Sequence, residues 1–273
     1  RDAGAIAVIV VNNEGGPPIA MGWTGDTVEI PAVMINKRDG EKLKQYLSND
    51  LWAALGSKVT IGGPELADQL APSSSRGPVY ETHLLKPDIV DPGFNIHSVK
   101  AGSGNKELLV GGTSMAAPHS SGAAALLKER HPDWSALTIK AAMMNTSLMI
   151  PDENGKTYPE SRIGAGRLQI EPAILTPVTA TDADHPERVS LSYGLLEIAE
   201  PYQADRWIEV KNFGNQPWTG SIAVSNTLAN AGILLTSAQE KISVPIKGSN
   251  RVKMVLKIEP SQVQLTYQRN IHR

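Results

Sequence analysis

Hydrophobic and polar positions divide the chain into three stretches of different rhythm. The first runs to about residue 62. Ala5–Asn13 (AIAVIVVNN) is a continuous β-branched run, the pattern of a strand buried on both faces. A loop, NEGGPP, follows, and Ile30–Ile35 (IPAVMI) predicts a second short buried strand. In Asn36–Asn49, Leu43, Tyr46 and Leu47 recur at helical spacing with lysines opposite, so a helix is expected there. Trp52–Gly63 returns to strand character.

The second stretch opens on a turn-rich passage, GGPELADQLAPSSSRGP, which marks a boundary or a surface loop. Lys86–Gly93 (KPDIVDPG) reads as a short strand closed by Pro92-Gly93, and a Gly/Ser loop follows. From Thr113 a long helix rich in small residues is predicted. Pro118 falls near its first turn, where a missing N–H does no harm. The run SSGAAALL is apolar nearly all round, which predicts a central, buried helix. His131 stands in the turn to a second helix, with Ser135 as its N-cap.

Residues 178–186 (VTATDADHP) are polar and read as a linker that includes His185. From Arg188 onward the rhythm becomes short alternating strands separated by turn signals: 206–224, 241–248 and 250–260. Their intervals predict an all-β sandwich. The whole is therefore an α/β chain with an all-β tail. Its 273 residues suit two or three units.

Composition narrows the chemistry. The net charge of -2 and the lack of a basic cluster argue against a nucleic-acid or anionic-membrane partner. Without cysteine there are no disulfides, thiolate chemistry or Cys-based zinc sites. No apolar run reaches the roughly 20 residues of a membrane helix. Arg1 opens inside strand-forming sequence, so the natural start is expected further upstream.

The candidate chemistry lies in Gly111–His119, GGTSMAAPH. A serine hydroxyl becomes a nucleophile when a base lies within hydrogen-bond reach and donors await the oxyanion. A serine at a helix start has its own outward N–H and the positive end of the helix dipole. Gly111 and Gly112 let a substrate backbone approach, and Ala116 and Ala117 keep the first turn slim. The bland alternative is a loop in which Thr113 or Ser114 only caps the helix. A lipase-type elbow, G-x-S-x-G, is disfavoured because position 116 is alanine.

The longer string GTSMAAPHSSGAAALL resembles the nucleophile motif of the subtilisin-like serine proteases, usually G-T-S-M-A-x-P-H-V-x-G, with Ser120 in place of the valine. SSRGP (74–78), KPDIVDPG (86–93), HPDWSALTIKAAMMNTS (131–147) and GAGRL (164–168) resemble further family segments, in order. The flanks resemble those of the large secreted members. Residues 1–62 are similar to the later part of a protease-associated domain, 63–177 to the C-terminal part of the parallel-sheet catalytic domain, and 187–273 to a fibronectin type III-like sandwich whose last strand is unaccounted for.

The resemblance implies a serine endopeptidase acting on protein or peptide substrates, exported from the cell. Ser114 would be its nucleophile and the Ser114 N–H an oxyanion donor, with Gly112, Thr113, Met115, Pro118 and His119 supporting the motif. The family's triad aspartate and histidine and its oxyanion asparagine precede the inserted domain and are expected upstream of this chain. The fragment alone is then expected to be inactive and to leave apolar surface uncovered. The alternative is a binding or structural piece, or a pseudoprotease, in which the outer domains are the working parts. Many subtilases bind calcium, but no spacing here places a site; no cofactor is called for, and the oligomeric state is not encoded.

No local group stands in for the missing base. His119 lies five residues on, about 140° around the helix, facing away from Ser114. His83 and His97 flank the KPDIVDPG strand with no carboxylate recognisable as an orienting partner, and His272 sits at the chain end. Asp88 reads as a structural salt bridge or turn cap. Asp91 stands where the family has alanine, and a carboxylate there is expected to be exposed or paired. Gly111 stands where serine or asparagine is common and adds freedom to the loop.

Overall fold

The structure, a computed structural model, describes residues 4–13, 18, 30–47, 52–54, 67–152, 154–225 and 230–263. Most of the loop 13–18, nearly all of the strand expected over 52–63, and His272 lie outside them. The chain forms two compact units, 1–74 with 150–157, and 75–149 with 158–273.

In the first unit, β1 (Val8–Val11) and β2 (Ala32–Ile35) pair in parallel, Val8 opposite Ala32. The expected burial on both faces is not found. Ile6 is 87% exposed, and Val8 and Ile9 also reach the surface, because among the described residues this sheet has only two strands. Helix α1 (Lys37–Lys44) starts where the sequence places it. Asn36 caps it by accepting the Asp39 N–H at 2.7 Å. It ends before Tyr46 and Leu47, which are exposed rather than aligned on a helix face.

The second unit carries the motif segments. β3 (Ile96–Val99) and β4 (Glu107–Val110) form an antiparallel hairpin that runs into α2 (Thr113–Arg130). α3 (Ala136–Asn145) follows, with Ser135 accepting the Thr138 N–H at 3.1 Å as its cap. α4 (Glu160–Ile163) and α5 (Ile170–Leu175) are short. Between them Arg167 bridges to Val90 in parallel and to Leu148 in antiparallel sense. That single bridge is all the parallel pairing this unit shows among the described residues.

Helices α2, α3 and α5 close on a core of Ala123, Leu127, Trp134, Ile139, Ala142, Met143, Leu168 and Ala173. The all-round apolar pattern of α2 predicted full burial, yet only Ala123 and Leu127 are buried along it. α3 and α5 cover one side, while Ala117, Ser121, Ala125 and Leu126 remain exposed on another. Periodicity reports which faces tolerate burial, not which neighbours supply it. Pro118 is a further correction. It occupies the sixth helical position rather than the first turn, so the bond its N–H would have sent to the Ser114 carbonyl is absent.

The β-rich tail is a sheet in the order β5 (Val178–Asp182), β6 (Tyr202–Asn212), β10 (Ser249–Ile258), β8 (Ile233–Ser237), with a second pair, β7 (Trp218–Ser221) and β9 (Lys241–Val244). Val210, Ile242, Val244, Val252 and Met254 form its core. The polar stretch read as a linker is therefore strand β5, antiparallel to β6. Its Thr179 and Asp182 are buried, and Asp182 Oδ1 accepts the backbone N–H groups of Asp184 and His185. Buried polar side chains, with Asp182 held through Oδ1 by local backbone, hid a strand under a loop-like composition.

The tail is joined to the helices by stacking. His131 lies flat on Trp134 with ring centroids 3.9 Å apart, and Trp134 meets Phe213 at the end of β6 at 5.0 Å. Asn145 at the end of α3 accepts the Ala180 N–H of β5 at 2.6 Å. Trp134→Ala should cost about 3–5 kcal/mol in urea unfolding, the usual range for emptying a buried aromatic site. A loss below about 1 kcal/mol would show that the stack does not hold the helices to the sheet.

Candidate active site

Ser114 is the second residue of α2 and is exposed. The N-cap is Gly112, with φ 143° and ψ 169°, a conformation essentially confined to glycine. No side chain caps the helix, so neither Thr113 nor Ser114 serves as the capping residue of the bland alternative. Met115 and Ala116 both send their N–H groups to the Gly112 carbonyl, at 3.0 and 3.3 Å. The N–H groups of Thr113 and Ser114 receive no acceptor among the described residues, so they sit free at the positive end of α2.

The loop before Ser114 is pinned by backbone. Gly112 donates to the Gly93 carbonyl at 2.7 Å. A Cβ at position 93 would lie 2.7 Å from the Gly112 oxygen and 3.1 Å from the Ala116 Cβ, so glycine there permits the approach. Gly111 is under no such demand. A Cβ on it would meet Phe94 at 3.5 Å, an ordinary contact.

None of the described histidines hydrogen-bonds Ser114. His119, on the same helix, places Nδ1 2.8 Å from the Met115 carbonyl one turn back. His131 Nε2 meets the Ile174 carbonyl at 2.9 Å, and His185 Nε2 pairs with Arg206 at 2.7 Å. His83, at φ 52°, borders a cavity of about 300 Å³ together with Pro78, Leu85, Ser161, Ser192 and Tyr193; Ser114 does not line it. His97 is a correction: a carboxylate does orient it. Glu107 contacts its Nδ1 diagonally across the β3–β4 hairpin. Diagonal partners depend on strand register, which linear spacing does not reveal. Both side chains are about two-thirds exposed, and the pair ends there.

The two aspartates of KPDIVDPG behave differently. Asp88 is the structural ion pair expected: it meets Lys86 and, at 3.0 Å, Lys140 of α3. Burial pushes its carboxyl up, but hydrogen bonds and attraction from the two lysines outweigh burial and leave it below the ordinary value. Asp91 is half-buried and accepts a hydrogen bond from Ser120 of α2. Burial raises its carboxyl, and the Ser120 bond and the nearby His119 offset this only in part. Asp91 and Ser120 are two of the three departures from the family pattern, Gly111 being the third, and they contact each other. That shared departure was the available signal for a contact that the motif segments, taken singly, did not reveal.

Among the described residues no three His, Asp or Glu side chains come together to hold a metal ion. No helix among them is long and apolar enough to cross a membrane.

Ser114 is thus an exposed serine at a glycine-capped helix start, with its N–H unbonded among the described residues. Sequence comparison gives it a family: the Subtilase family model matches residues 2–166, and the chain belongs to that family. Among its relatives, the minor extracellular protease Vpr of Bacillus subtilis (strain 168) is 40% identical over 182 residues, 64% of this chain and 22% of that protein. The subtilisin-like protease SBT1.6 of Arabidopsis thaliana is 33% identical over 208 residues, 67% of this chain and 27% of that protein. SBT3 of Solanum lycopersicum is 34% identical over 196 residues, covering 63% and 26%. The chain thus spans about a quarter of the length of these relatives.

The Asp91 carboxyl gives a pH signature with a definite sign. Its folded value is raised, so the proton is held more tightly in the folded chain. Its favourable contribution is full below the ordinary 3.8 and is lost as pH rises through the raised folded value. Asp91→Asn keeps the acceptor for Ser120 and removes the charge. The variant should therefore melt higher than the wild type at pH 7, and the difference should vanish below about pH 3.5. Asp88 acts in the opposite direction in both proteins, so the comparison is made at matched pH. A difference that grows on acidification would contradict the assignment.

Proposed function

We propose that this chain is the nucleophile-bearing C-terminal part of an exported serine endopeptidase, active in the full-length protein and inactive alone. The observation that carries the reading is the exposed Ser114 in the first turn of α2, its own N–H unbonded beside it. Family membership and relatives named as proteases support the chemistry, and the extracellular relative supports export.

In the proposed reaction, Ser114 Oγ attacks the scissile carbonyl carbon while its proton passes to a histidine contributed from upstream. The carbonyl oxygen becomes an oxyanion and takes the Ser114 N–H as one donor, with an upstream asparagine as another. Collapse of the tetrahedral intermediate breaks the C–N bond, the amine leaves with the proton, and the acyl-enzyme is hydrolysed by water. Gly112 supplies the cap geometry. Thr113, Met115, Pro118 and His119 shape the first turns of α2, and His119 does so by bonding the helix backbone rather than Ser114.

In the same reading, the β1–β2–α1 region is the later part of a protease-associated domain, and the sheet of β5, β6, β8 and β10 with the β7–β9 pair is a fibronectin type III-like sandwich. The uncovered face of α2 is the surface on which the rest of the catalytic domain packs. A non-catalytic role for the fragment itself is favoured by one observation: no described histidine reaches Ser114.

Ser114→Ala in the full-length protein should lower kcat/KM for a protein substrate by about 10⁴-fold or more with the fold intact. That scale comes from triad removal in subtilisin, a member of the same family. Wild-type turnover in the variant would end the proposal.

A further inference from the structure

The nucleophile loop is held from one side by Asp91–Gly93, and three contacts join that segment to α2. The Gly112 N–H donates to the Gly93 carbonyl at 2.7 Å. The missing side chain of Gly93 lets its backbone lie against Gly112 and Ala116. The Ser120 hydroxyl donates to Asp91 Oδ2.

The first two contacts sit at the N-terminus of α2 and the third about two turns along it. Two attachment points separated along a helix fix orientation as well as position. With only the Gly93 contact, the segment could pivot about it. Pro92 lies between the two points, and its ring locks φ, so a restraint at Asp91 is passed on to Gly93 with little slack. A half-buried carboxylate carries a desolvation cost that an apolar pair would not. The contact therefore adds a directional restraint rather than packing alone.

We infer that Asp91 and Ser120 are positioning residues for the nucleophile: the bond between them holds Asp91–Gly93 against α2 and, through the Gly93 carbonyl, fixes the Gly112 backbone that presents Ser114. The word nucleophile rests on the proposed function; the backbone restraint does not.

Amide hydrogen exchange followed by NMR on the 273-residue chain reads the restraint directly, because the Gly112 N–H is itself one of the contacts. Asp91→Ala and Ser120→Ala should each speed exchange at Gly112 roughly five- to ten-fold. The double variant Asp91→Ala/Ser120→Val should be no faster than either. Ser120→Thr, which keeps the hydroxyl, should return to within about two-fold of the wild type. The Leu127 and Ile139 amides, deep in the helical core, should keep their rates.

An unchanged Gly112 rate in both alanine variants overturns the inference. So does acceleration spread evenly over Gly112, Leu127 and Ile139, which would mark a general loss of stability. Should Asp91→Ala not fold, the Ser120→Ala and Ser120→Thr pair decides. Exchange needs no turnover, so loss of this restraint and loss of the proteolytic reading are separate results.

Discussion

A close backbone approach governs the geometry around Ser114. Gly93 and Gly112 come near enough to share a 2.7 Å hydrogen bond, and a side chain at position 93 would collide with the Gly112 oxygen. Gly112 in turn adopts a backbone conformation that only glycine holds without strain, and the next residue begins the helix. The turn therefore hands the chain from the β3–β4 hairpin to α2 in one step, with Ser114 on the outside of the first turn and its N–H unspent.

What lies behind that turn keeps it in place. α2 is anchored by Ala123 and Leu127 in the core shared with α3 and α5, and Trp134 ties the same core to the β-rich tail. The 86–93 segment is fixed twice, by Asp88 to Lys140 of α3 and by Asp91 to Ser120 of α2. Opposite these supports α2 is uncovered, and no described histidine is bonded to Ser114. Among the described residues, Ser114 is exposed and its N–H is unbonded.

Much of this was legible in the chain. The capping residue Ser135 announced α3, because a cap is a local hydrogen bond between neighbours in sequence, whereas α1 was announced by apolar spacing and its Asn36 cap was not read. The alternation over 250–260 announced β10 for the same local reason. Strand β5 was missed because its buried Thr179 and Asp182 look like loop residues until their partners are known. The burial of α2 and of β1 was overestimated because an apolar pattern names no neighbour. In the candidate site, the motif pointed to Ser114, whereas the Ser120–Asp91 and His97–Glu107 contacts depend on which segments the fold brings side by side. Such contacts are tertiary facts with no periodicity of their own.

The central claim is that Ser114 is positioned for attack yet unactivated in this chain. Covalent labelling by a serine-reactive fluorophosphonate, read by intact-protein mass spectrometry, tests it most directly. Activation requires a base within hydrogen-bond reach, so the account predicts labelling of Ser114 no faster than that of other exposed serines. Rapid, stoichiometric labelling of Ser114 in the isolated chain would contradict it and would mean that a base within these 273 residues reaches the hydroxyl.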